Sequence, residues 1–239
     1  MNRIEFAISY LKGRGAKIPA SLLQSLSDGR VLSIKAGTIH SRSYKQSVDD
    51  YSAVRDELWI AVYDGVFDFL NSNSHMGTYS RPVITALSKA YLTTADIAYV
   101  DGGGSLPLDD DTQAWARAEL ESQSGYVDSM FLTLKQLRSE GDFDANATAS
   151  DRADAYTSAL DGFYNSIKMM GAGNKMLTWN LGSAEKHCDT CLNLDGQRHR
   201  ASWWSSKGYT PHRPGSNTIC GGYNCDCSLS DDDGNGFTI

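Results

Sequence analysis

Apolar residues recur at helical spacing through most of the first 170 positions, and the clearest stripe lies in residues 48–71. There Tyr51, Val54, Leu58, Val62, Val66 and Leu70 follow one another at steps of three and four, which places them on one helix face. The Asn71-Ser72-Asn73-Ser74 run ends that pattern. A second helix is expected over 83–100, with Pro82 just before it and Asp101-Gly102-Gly103-Gly104 after it. A third fits 112–139, where Asp109-Asp110-Asp111 meets the positive end of the helix dipole. A fourth fits 150–170, entered at Ser150 or Asp151 and left at Gly171-Ala172-Gly173. Its apolar face uses Ala153, Tyr156, Leu160, Phe163, Tyr164 and Ile167. A short helix over 2–12, with Ile4, Ile8 and Leu11 on one side, precedes a weakly patterned stretch at 13–47.

The pattern changes at Gly171. From there Gly, Asn, Asp, Ser, Cys and Trp dominate and no helical period is visible. A segment so poor in aliphatic side chains needs another source of stability, and a bound metal supplies folding free energy directly. The expected architecture is therefore mainly α: a helical body over 1–173, and a small irregular, cysteine-rich, zinc-stabilised module with an acidic tail over 174–239.

Composition narrows the function classes. Of 239 residues, 41% are hydrophobic and 21% charged, enough apolar material for a packed core. The net charge of −7 disfavours broad phosphate-backbone binding, which needs a basic face. No apolar run approaches a membrane span, and the N-terminus lacks the long apolar stretch of a signal peptide. Synthesis and residence in a cell's cytoplasm is the expectation.

All five cysteines fall between residues 188 and 227. The arrangement is Cys188-Asp-Thr-Cys191, a long spacer, then Cys220-Gly-Gly-Tyr-Asn-Cys225-Asp-Cys227. Two cysteines separated by two residues bring their sulfurs to one side of a tight turn, and a second cluster completes a tetrahedron that suits zinc. Cys188 and Cys191 form the first pair, and two of Cys220, Cys225 and Cys227 complete the site. His187, His199 and His212 are less favoured substitutes. One structural zinc per chain is expected, with four protein ligands and no open position for water, so no catalytic residue is assigned and the chain is not read as an enzyme. A disulfide-stapled loop is the alternative, although the odd count would leave one thiol over.

Within Trp179–Leu229 the sequence resembles the phage minor head (head morphogenesis) proteins, the family typified by the F protein of phage Mu. The matching residues are Trp179, then His187-Cys188-Asp189-Thr190-Cys191-Leu192-Asn193-Leu194-Asp195-Gly196. Cys220-Gly221-Gly222-Tyr223-Asn224-Cys225-Asp226-Cys227-Ser228-Leu229 completes the match. The family pattern is a tryptophan, a Cys-x-x-Cys, a Leu-Asp-Gly and a closing Cys-x-Cys often preceded by His-Pro. Cys220 stands where many members carry that histidine, a change that keeps a zinc-binding side chain. Ala201 to Ser216 is a longer insertion than the pattern expects. The helix at 150–170 fits a member's preceding helix more loosely, and residues 1–140 carry no part of the signature.

The resemblance implies a virion structural protein of a tailed phage or prophage, present in host cytoplasm during assembly and working at or near the portal vertex. Its partners would be portal, major capsid or head-tail connector proteins of the same particle, with the chain itself oligomeric there. Some members carry toxin or transferase domains beyond the signature; with ten residues after Leu229, none is expected in this sequence.

Other motifs weigh less. Asp231-Asp232-Asp233-Gly234-Asn235-Gly236 imitates the start of a calcium loop but lacks the closing Glu, and reads as a solvated tail. Gly102-Gly103-Gly104 lacks a following Gly-Lys-Ser/Thr and reads as a linker. Trp203, Trp204 and Tyr209 with Arg198, His199, Arg200, Lys207 and Arg213 outline a basic-aromatic surface that would stack and clamp nucleic acid. A zinc-module nucleic-acid-binding protein is thus the rival class. The preferred use of those tryptophans is to cover the small metal core or a partner surface.

Overall fold

The computed structural model describes residues 44–211, 213, 216–222 and 226–238, with side chains described from Asp50 onward. The expected helix at 2–12 and most of the stretch 13–47 lie outside the described residues. Among those described, the protein is mainly helical. Four long helices come first: α1 (Tyr44–Leu70), α2 (Gly77–Gly102), α3 (Asp110–Glu140) and α4 (Ala145–Ala172). They are followed by β1 (Met176–Asn180), α5 (Asp189–Leu194), β2 (Arg198–Arg200), α6 (Ala201–Ser206) and β3 (Ser228–Ser230). Body and cysteine-rich segment belong to one compact unit, Arg42–Ile239.

All six stripe residues of α1 are buried, and so are all six of α4. Steps of three and four keep each set on one face, and the two faces meet as the centre of the core together with Val83, Leu87 and Tyr91 of α2. Each fully buried aliphatic or aromatic side chain contributes about 1.5–3 kcal/mol of transfer free energy. A polar ladder runs along the α1–α4 seam. The Tyr51 hydroxyl donates to Asp161 Oδ1 at 2.6 Å, and Arg55 grips both Asp161 oxygens at 2.8 and 3.1 Å. One turn further along α1, Trp59 Nε1 donates to Asp154 at 2.9 Å, and Tyr63 Oη donates to Asn146 at 2.8 Å. Such pairings select one antiparallel register, because a slip would leave buried polar groups without partners.

Helix ends follow local chemistry. Asp109 caps α3 by accepting from the Thr112 N–H, with Asp110 and Asp111 in the first turn. The hydroxyl of Tyr99 donates to Asp109 at 2.6 Å and, with the cap, holds that carboxyl below its ordinary range. Two boundaries differ from expectation. Helix α2 starts at Gly77, so Pro82 lies inside it and not before it. So near the N-terminus a proline removes a single i→i−4 bond, which the well-buried helix tolerates. Helix α4 starts at Ala145, where Asp144 accepts from the Asn146 and Ala147 N–H groups. The Ala-rich first turns are good helix formers without an apolar stripe, so periodicity alone starts the helix too late.

The segment after Gly173 contains a detail no helical period reveals, a three-stranded antiparallel sheet in the order β2-β1-β3. Trp179 pairs with Leu229 and Leu177 with His199. Alternation along β1 turns Leu177 and Trp179 inward, against Trp204 of α6, Leu194 and Phe237. The Trp179 and Trp204 rings lie 5.6 Å apart, and Trp204 Nε1 donates to the Leu177 carbonyl at 3.0 Å. The acidic run expected as a solvated tail turns back onto this sheet. Asp231 Oδ1 accepts from the Asp233 and Asn235 N–H groups, Ser230 bridges to Gly236, and Phe237 is buried.

Candidate metal centre

Helix α5 is too short to be stable alone, and its role is to present sulfur. Cys188 is its N-cap residue and Cys191 lies one turn on, which brings their Sγ atoms to 3.4 Å. Cys220 arrives from a separate turn, and the three sulfurs lie within 4.8 Å of one another. A tetrahedral ion with bonds of about 2.3 Å requires sulfurs roughly 3.8 Å apart, so small adjustments seat one. Thr218 organises the second turn: its Oγ1 lies 3.2 Å from Cys220 Sγ and accepts the Gly222 N–H at 3.2 Å. The two turns are stitched where the Ile219 N–H donates to Thr190 Oγ1.

Cys227 is the fourth member. It is buried immediately before β3, its thiol interacts with that of Cys191, and its Sγ lies 3.9 Å from His187 Nδ1. Its neighbour Asp226 anchors it by accepting from Ser183 Oγ at 3.1 Å and from the Ala184 N–H at 2.9 Å. Gly182 allows that clamp, since a Cβ there would sit 1.8 Å from the Asp226 carbonyl oxygen.

The electrostatics suit a cation. Burial raises the Cys188 thiol, but backbone N–H groups of Cys191 and Cys220 and the neighbouring thiols outweigh it and bring the value down to about 7. Cys191 is pushed far up by burial and by the adjacent sulfurs of Cys188 and Cys227. One sulfur is therefore ready to ionise while the next resists, first because it is buried and then because negative charge would accumulate beside it. A dication between them removes that repulsion. Cys188, Cys191, Cys220 and Cys227 sit close enough to hold a metal ion.

Of the remaining expected ligands, Cys225 and His212 lie outside the described residues. His199 is in β2, stacked on Trp203 at 3.7 Å and 3.2 Å from Gln197 Oε1, and is not among the clustered ligands. His187 stays at the edge of the cluster. Part of the basic-aromatic set is engaged within the protein, while Arg200 and Lys207 are exposed. Trp204 is fully buried, Arg198 forms a double hydrogen bond with Asp232, and Arg213 pairs with Glu119. The Asp226 clamp leaves little mark in the sequence. Its only trace is Gly182-Ser183, two small residues whose partner is distant in the chain.

Fold and site together define a mainly helical protein whose C-terminal segment brings four cysteines to one point able to hold a metal ion. No family model, no curated protein and no solved structure matches the chain.

Proposed function

We propose that this chain is a structural component of a tailed-phage or prophage particle, a minor head protein at the portal vertex whose cysteine cluster holds one zinc ion. One observation carries the reading: residues of the head-protein pattern, scattered over Trp179–Leu229, converge in space. The Trp179 carbonyl accepts the Gly196 N–H at 2.9 Å, the Trp179 N–H donates to Gln197, and Asp195 Oδ1 accepts the Leu181 N–H. Trp179 also pairs with Leu229, two residues past Cys227. A tryptophan, a Leu-Asp-Gly and a closing cysteine thus serve one small core, which gives their spacing a structural reason.

Thiolate ligands favour zinc among available divalent ions, and four of them leave no coordination position for a reactive water. The ion's role is stability, and no catalytic step is assigned. The helical body docks on portal, capsid or connector proteins, and the module braces that contact in an oligomeric setting. The nucleic-acid reading has less behind it, because Trp204 is buried in the small core and Arg213 pairs with Glu119. Mass spectrometry of purified particles tests the proposal. Recovery in fixed copy number with portal protein is the expected result, and consistent absence from particles would overturn it.

A further inference from the structure

The insertion between the two halves of the cysteine pattern has a path that the proposed function does not use. Between Lys207 and Cys220, Pro211 and Arg213 touch the helical body. The base of the insertion is tied by Asn217, whose N–H donates to the Gly208 carbonyl at 3.0 Å and whose Nδ2 donates to the Lys207 carbonyl at 2.7 Å. Ser216 Oγ cross-links the two arms, donating to the Gly208 carbonyl and accepting the Thr210 N–H. At the far end Asn165 of α4 donates to the Pro211 carbonyl. Arg213 lays its guanidinium over Trp115 of α3 at 5.0 Å and pairs with Glu119 at 3.3 Å. Trp115 in turn stacks on Phe163 of α4.

The backbone of Arg213 is held between two glycines. A Cβ on Gly162 of α4 would lie 2.6 Å from Arg213 Cα, and a Cβ on Gly222 would lie 1.9 Å from the Arg213 carbonyl oxygen. Gly222 belongs to the same turn as Cys220, through Thr218. The contact sequence is therefore cysteine turn, Gly222, Arg213, then Gly162 of α4 with Trp115 and Glu119 of α3. Past the buried Thr112 and Ala116, no side chain of α3 from Arg117 to Tyr126 is buried.

We infer that Arg213, with the described residues of the insertion that lead to Gly222, is a strut by which metal occupancy of the cysteine cluster fixes the N-terminal half of α3 onto the helical body. The inference rests on the cluster holding a metal. With the ion bound, Cys220 is pinned, Gly222 supports Arg213, and Arg213 clamps Trp115 and Glu119. Without it the turn loosens, Arg213 withdraws, and α3 opens locally while α1 and α4 keep their packing. The module's metal thereby sets the surface that α3 presents.

Hydrogen exchange on the full chain, zinc-loaded and then treated with EDTA under reducing conditions, tests this. Removing the metal should raise exchange in residues 112–122 by about tenfold or more, with 51–63 changed by less than about twofold. Arg213→Ala should still bind zinc yet show the raised α3 exchange before any chelator is added. Gly162→Ala favours the helix by intrinsic propensity, so it should behave like Arg213→Ala only because it displaces the strut. Unchanged α3 exchange after the zinc is stripped would overturn the strut and leave the metal reading intact. So would Arg213→Ala or Gly162→Ala variants that keep the full chelator response, or a rise shared equally by 51–63. A chain that binds no zinc at all would overturn both.

Discussion

The helical body and the cysteine-rich segment bury their interiors equally well with different material. In the body, helices of 26 to 31 residues present aliphatic and aromatic stripes, and the α1–α4 seam adds hydrogen bonds that choose the register. Among the described residues of the module, no helix exceeds six residues and no strand exceeds five. Its core is two tryptophans, a few aliphatic residues, Phe237 and the cysteines. Elements so short cannot hold their own conformation. The body is held by packed area that many residues share, so single losses are partial. In the module four sulfurs meet at one point, and on the proposed reading an ion there concentrates much of the stabilisation.

The largest expected effect is accordingly at the cluster. Cys191→Ser should abolish stoichiometric metal binding and destabilise the module by several kcal/mol, since structural zinc contributes on the order of 10 kcal/mol in small zinc domains. Near-ultraviolet circular dichroism should lose the signal of the Trp179–Trp204 pair while far-ultraviolet helicity stays near its original value. Next in size, Trp204→Ala should cost about 3–5 kcal/mol through the cavity left beside Trp179. Leu87→Ala in the body should cost about 2–5 kcal/mol. The two separate by metal: added zinc should recover part of the first loss and none of the second, as read by denaturant unfolding.

A smaller effect is expected on the α1–α4 seam. Asp161→Ala leaves Arg55 and Tyr51 facing each other without their shared acceptor, for a loss of about 2–3 kcal/mol in urea unfolding. Metal content should be unchanged. The smallest effect concerns the junction of the two regions, where Lys168 of α4 lies 4.8 Å from the ring centroid of Phe237. Burial lowers its ammonium to about 8, with Asp101 opposing the shift and Lys175 adding to it. Between about pH 8 and the ordinary lysine value near 10.4, the unfolded chain binds more protons than the folded one, so the fold gains stability as pH rises through that window. Lys168→Met should flatten that part of the slope, measured as the wild-type minus variant difference in unfolding midpoint at pH 7.5 and pH 10.

What was legible in the sequence follows the same division. The stripes of α1 and α4 were readable to the residue, because sustained period-3.6 burial leaves an unambiguous trace. Asp109 was readable as a helix start, since capping is local chemistry. The sheet was not, because Met176–Asn180 is a short alternation and its partners lie some twenty and fifty residues away. Spacing identified Cys188 and Cys191 as a pair and left the second half open. Among the described residues the fold brings up Cys220 and Cys227, placing the latter through Asp226, a long-range contact that spacing does not encode. In the sequence Arg213 reads as one member of a basic surface. Its actual engagement with Trp115 and Glu119 depends on two distant glycines that carry no pattern of their own.

The measurement that bears most directly on the account is metal content by elemental mass spectrometry, on protein purified without a metal-affinity tag, together with a count of alkylatable thiols before and after chelation. The account predicts about one zinc per chain, with four thiols that become reactive only when the ion is withdrawn. A metal-free protein with those cysteines oxidised in pairs would contradict it, and would make the module a disulfide-stapled one.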